Sequence, residues 1–124
     1  MTQALSRYSA RAMTSVPDVD TLNALGRIES QLEKPGNTPA ALRALKGLIA
    51  SDIGLRRAWE LGAGAFKSKR YEYVPPAAIR RRIHEAQSEL TNGDRREALR
   101  IARELIKSDP NIKEAWEIGA SAFR

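Results

Sequence analysis

The sequence predicts an all-α protein built as two tandem three-helix units. Three observations carry this prediction. Apolar residues recur at helical spacing along most of the chain, no window shows sustained strand alternation, and the chain repeats itself at a constant offset of 57 residues. Gly36 to Lys67 reads GNTPAALRALKGLIASDIGLRRAWELGAGAFK, and Gly93 to Arg124 reads GDRREALRIARELIKSDPNIKEAWEIGASAFR. The pairs include Ala41/Ala98, Leu42/Leu99, Arg43/Arg100, Leu48/Leu105, Ile49/Ile106, Asp52/Asp109, Trp59/Trp116, Gly62/Gly119 and Phe66/Phe123. Upstream of Gly36, one inserted residue restores the match and pairs Leu25 with Ile83 and Leu32 with Leu90. The resulting organisation is an N-terminal arm over 1–19, a first unit over 20–70, a linker over 71–76 and a second unit over 77–124.

Each unit reads as three helices. The first helix spans about 20–34, with Leu22, Leu25, Ile28 and Leu32 on one face. Its counterpart spans about 76–91, with Ile79, Ile83, Ala86 and Leu90 in line, and opens at Pro75-Pro76, where proline fits a first helical turn. The second helix comes after a glycine turn. Thr38-Pro39 supplies an N-cap with proline at the first position, and Asp94 with Glu97 supplies a capping box. Its apolar stripe is Ala41, Leu42, Leu45, Leu48 and Ile49, matched by Ala98, Leu99, Ala102, Leu105 and Ile106. The third helix is predicted to start at Ser51-Asp52 and at Ser108-Asp109-Pro110, with each Asp as its cap. Trp59 and Phe66, like Trp116 and Phe123, fall on one stripe of that helix and are expected in the core. Glycine inside a helix costs up to about 1 kcal/mol against alanine. Its presence at both 62 and 119 therefore predicts another helix running close to the backbone.

These residues resemble a tetratricopeptide repeat, whose pattern is W-x2-L-G-x2-Y, then A-x3-F, then P. Gly93-Asp94, Glu97-Ala98, Asp109-Pro110 and Ala115-Trp116-x2-Gly119-Ala120-x2-Phe123 keep its order and spacing. The first unit offers Gly36, Ala41 and Trp59-x2-Gly62-Ala63-x2-Phe66. The match departs from the pattern at several points. Gly62 and Gly119 stand for its Leu, Ala63 and Ala120 for its Gly, Leu45 or Ala102 for its Phe, and Ile53 for its Pro. The offset of 57 also exceeds the family period of about 34. The resemblance covers about half the chain. It implies a scaffold that binds a peptide or partner helix, with no catalytic residues. A solenoid usually needs about three repeats to bury its core. The last helix, with Phe123 beside the C-terminus, therefore leaves a candidate homodimer contact.

Composition narrows the function. The chain has 124 residues, no cysteine and one histidine, so thiolate zinc sites, disulfide frameworks and His-rich metal sites are excluded. No apolar run approaches the ~20 residues of a membrane span. Residues 1–17 carry Arg7 and Arg11 and no acid, a composition shared with transit peptides. We read them as a short helix or arm ending at Val16-Pro17, and expect a cytoplasmic protein. Acid–base chemistry needs positioned groups in a pocket. His84 lies off the apolar stripe, Glu85 and Glu89 read as surface charge beside Arg81 and Arg82, and no phosphate or dinucleotide loop is present. No catalysis, no cofactor and no metal are expected.

The net charge is +6. Residues 56–82 alone hold Arg56, Arg57, Lys67, Lys69, Arg70, Arg80, Arg81 and Arg82 against Glu60 and Glu72, which accounts for all of it. A basic strip with Tyr71 and Tyr73 suits an acidic peptide or a phosphate backbone. It also suits a solvated junction, where cations favour a helix C-terminus. The leading expectation is a small adaptor that binds a partner protein through a helical groove and this junction. Its anchors would be Arg57, Lys69, Arg70, Tyr71, Tyr73, Arg80 and Arg81. The alternatives are a basic nucleic-acid-binding regulator and a self-assembling structural protein.

Overall fold

The structure is a computed structural model, and it describes residues 13–66 and 74–124. Among these, every regular element is helical and none is a strand. Six α-helices succeed one another: α1 Val19–Leu32, α2 Thr38–Ser51, α3 Arg56–Gly64, α4 Ala77–Thr91, α5 Arg95–Ser108 and α6 Lys113–Ala122. A short 3₁₀ turn, Pro35–Asn37, joins α1 to α2. The helices fall into two sets of three. α2 and α5 begin and end at the same register 57 residues apart, and the inserted residue between α1 and α2 is absorbed in that 3₁₀ turn. The second unit makes the same connection with Gly93 at φ +87°, where a residue without Cβ turns most cheaply. There the N–H of Asp94 donates to the carbonyl of Glu89 at 2.9 Å.

Helix starts obey local chemistry. The Asp18 carboxylate accepts the Thr21 N–H at 2.8 Å and opens α1. Asp94 does the same for α5, accepting the Glu97 N–H at 3.1 Å. The Glu97 side chain turns to Arg100, so only one arm of the expected capping box forms. At α2 the cap position is Asn37, which makes no side-chain cap bond, and Thr38-Pro39 already lies inside the first turn.

The third helices start later than the Ser-Asp pairs predict. α3 opens at Arg56 and α6 at Lys113. Asp52 and Asp109 close α2 and α5 from the C-cap position instead. Their carboxylates fold back onto the loop, accepting the N–H of Gly54 at 3.0 Å and of Asn111 at 2.9 Å. A Ser-Asp pair reads the same for a turn as for an N-cap, because in both the carboxylate accepts an N–H a few residues on.

The apolar stripes merge into one core that runs through both units. Leu25 and Ile28, Leu42, Leu45 and Ile49, Ile83 and Ala86, and Leu99, Leu105 and Ile106 are buried as expected. Leu22 is not; it is 53% exposed, one turn short of the cover over Leu25. Arg80 occupies the corresponding place on α4 and is exposed too. The units join through α3 and α6. Trp59 and Trp116 are fully buried, with ring centroids 5.7 Å apart in an edge-to-face arrangement at 62°. Each indole N–H donates six residues back, Trp59 to the Ile53 carbonyl at 3.0 Å and Trp116 to the Pro110 carbonyl at 2.8 Å.

The two interior glycines explain this junction. A Cβ on Gly62 would lie 2.1 Å from the Trp116 ring, and one on Gly119 would lie 1.9 Å from the Trp59 ring. Each helix thus seats its tryptophan on the other's glycine, the close approach that the sequence predicts. The contact is reciprocal, like the isologous interface of a two-fold dimer, whereas a solenoid stacks its units in one direction. It also fills the face that the sequence analysis leaves for a homodimer: Trp116, Ile118, Gly119, Ala120, Ala122 and Phe123 are all buried within the chain. None of the described helices is long and apolar enough to cross a membrane.

Candidate functional site

A pocket of about 240 Å³ opens beside α1 and α3 in the first unit. It exists because the segment before α1 docks on the loop between α2 and α3. The Ser15 N–H donates to the Gly54 carbonyl at 2.8 Å, and the Ser15 hydroxyl donates to the Asp52 carboxylate at 2.6 Å. Gly54 permits this approach, since a Cβ there would lie 2.3 Å from the Ser15 hydroxyl oxygen and 2.5 Å from the Met13 carbonyl. The register counterpart of Gly54 in the second unit is Asn111, which carries a side chain where Gly54 carries none.

Thr14, Ser15 and Pro17 form one wall, Leu25 and Leu55 the apolar floor, and Arg56, Arg57 and Glu60 the polar rim. Arg56 pairs with Glu60 at 3.3 Å, and Arg57 pairs with Glu29 on α1. Both pairs are exposed, so each contributes less than about 1 kcal/mol and leaves its guanidinium free to exchange partners. Three large apolar side chains stand in solvent along the same stretch of chain: Val16 at 96% exposure, Val19 and Leu22. The volume is below the ~300 Å³ of common small-molecule sites and suits one or two side chains of a larger partner.

The residues singled out in the sequence separate in space. Arg57 lines the pocket. Arg80 and Arg81 stand exposed on α4 and form no ion pair among the described residues. Lys69, Arg70, Tyr71 and Tyr73 lie outside the described residues, as do Lys67, half of the linker and most of the arm. Arg82 is taken up internally, donating to Glu85 at 2.7 Å and to Glu104 of α5 at 2.6 Å. Those two carboxylates, Glu85 first, hold its guanidinium above the usual arginine range. Trp59, Phe66, Trp116 and Phe123 are all core residues. His84 is exposed, and no group of three or more potential metal ligands gathers among the described residues.

Sequence reasoning misses the pocket because its members come from three separate stretches. Val16, Val19 and Leu22 at three-residue spacing are its one local signal. Compared with protein-family models, with curated proteins and with solved structures, the chain matches none.

Proposed function

We propose that this protein is a non-catalytic binding module that docks a segment of a partner protein against α1 and α3 of the first unit. The observation that carries the reading is the pocket, with its floor of Leu25 and Leu55, its arginine rim and the exposed Val16, Val19 and Leu22 beside it. Protein interfaces are anchored by apolar side chains buried in pockets and ringed by polar contacts, and arginine is enriched in them. The segment that fits carries an apolar anchor and flanking carboxylates, which would take Arg56 and Arg57 from Glu60 and Glu29. The basic strip named from the sequence contributes through these two residues at its N-terminal end. The likeness to tetratricopeptide repeats points the same way, toward recognition of a peptide or helix.

Capture from source lysate on the tagged protein, with nuclease and stepwise salt elution, tests the reading. A discrete protein band should survive nuclease and be lost from Leu22→Asp and Arg57→Glu, both at exposed positions. Gly54→Ala is the sharper variant, because it displaces the pocket wall and changes no charge. A band retained by all three variants, at unchanged helicity, rejects this surface.

A further inference from the structure

A cationic surface of the described molecule lies away from the pocket, on the outer faces of α2 and α5. Their inner faces carry the core stripes, and the two helices touch. On α5, Arg96, Arg100, Arg103 and Lys107 recur at i, i+4, i+7 and i+11, a line of charge roughly 16 Å long at 1.5 Å per residue. On α2, Arg43 and Lys46 stand at the register of Arg100 and Arg103. Together the two helices hold seven cations and two carboxylates. α2 contains no acid, and both carboxylates of α5 are engaged, Glu97 by Arg100 and Glu104 by Arg100 and Arg82. The hydrogen bond from Arg100 holds Glu97 below the usual carboxylate range, so it stays ionised and paired. Arg43, Lys46, Arg103 and Lys107 make no ion pair among the described residues.

We propose that this ridge binds the phosphate backbone of duplex DNA without regard to sequence. The groups that accompany the charge decide the partner. Among the described residues, the exposed large apolar ones are Val16, Val19, Leu22 and Val74, none of them on α2 or α5. An acidic protein would therefore find no apolar anchor here, whereas phosphate binding is driven by charge and counterion release. No aromatic side chain lies on either helix, so the ridge has no stacking platform for single strands. The two helices also lack Asn and Gln, the side chains that read adenine edges, and their charge meets a duplex DNA backbone that carries one negative charge per about 1.7 Å of axis. Between the cations, α2 exposes only small residues, Ala40, Ala44, Gly47 and Ala50, which let a backbone approach closely. Arginine adds bidentate geometry toward phosphate.

Fluorescence anisotropy of the full chain with a labelled 20-base-pair DNA duplex, from 50 to 300 mM NaCl, tests this. Log affinity should fall linearly with log salt with a slope of about −4, for four to five phosphate contacts. A second, unrelated duplex should bind within about threefold, since phosphate contacts carry no sequence information. Lys46→Glu with Arg103→Glu should weaken binding at least ~tenfold at 100 mM salt and flatten the slope by about 2. Leu22→Asp, on the protein-docking surface, should leave DNA affinity unchanged. No binding at 50 mM NaCl overturns the proposal, as does wild-type affinity in the folded double variant. Tighter binding of polyglutamate or of an RNA duplex overturns it equally, by naming a different partner.

Discussion

Gly62 and Gly119 present only a hydrogen to the tryptophan of the opposite unit, and there is no space for more. A methyl group at either place would lie about 2 Å from ring carbons of a fully buried indole. The indole is itself tied to a backbone carbonyl, so it cannot simply swing aside. Overpacking of this kind typically costs about 1–3 kcal/mol, and alanine's helix preference returns up to about 1 kcal/mol. Gly62→Ala and Gly119→Ala should therefore each destabilise the protein by roughly 2 kcal/mol in chemical denaturation. Gly47→Ala is the matched control. It sits inside α2 with nothing within 4 Å of the new Cβ, and should stabilise by about 0.5–1 kcal/mol. Equal effects at 47 and 62 would refute the tryptophan-on-glycine junction.

Helix ends are the scale at which sequence signals are least specific. The Asp94 cap and the Gly93 turn can be read directly from Asn92-Gly93-Asp94, and both form as expected. The same logic misplaces the caps of α3 and α6 by three residues, because Asp52 and Asp109 bind loop N–H groups ahead of the helix. The cap position itself is taken in each unit by a buried aliphatic, Leu55 or Ile112, held there by packing with no side-chain cap bond. Removing a true cap should be measurable: Asp94→Ala should cost about 1 kcal/mol in stability. Asp18 offers a pH readout. Hydrogen bonding from the Thr21 N–H lowers its pKa below the ordinary 3.8. A lowered folded-state pKa means that the cap is fully effective above the unfolded value and is lost as pH falls through the folded one. The Thr21 amide shift should therefore titrate with a midpoint under pH 3.8. A midpoint above it would mean that α1 begins elsewhere.

At the scale of the whole molecule, the six helices of the described residues and most of their inner faces are legible because helical periodicity is a local property. How the two units meet is only half legible. The glycines announce a close approach, but nothing in a linear reading pairs Gly62 with Trp116. Charge, too, is only partly legible from the linear order. Counted along the chain, the excess lies in 56–82. Counted in space among the described residues, Arg56, Arg57 and Arg82 are matched by acids, whereas Arg80 and Arg81 of α4 and Arg43, Lys46, Arg103 and Lys107 of α2 and α5 are not. A core shared across α3 and α6 also has a thermodynamic consequence: neither unit should melt alone. Leu45, fully buried in the first unit, gives the test. Leu45→Ala should cost about 2–5 kcal/mol. The loss should appear in one transition, with helicity and tryptophan fluorescence falling together, as for a two-state domain. Amide exchange in α5, in the other unit, should speed up by the same free energy, because its deepest amides open only in global unfolding. Two separated transitions, or α5 protection left unchanged, would mean that the units fold independently and that the tryptophan–glycine pair joins two stable bodies.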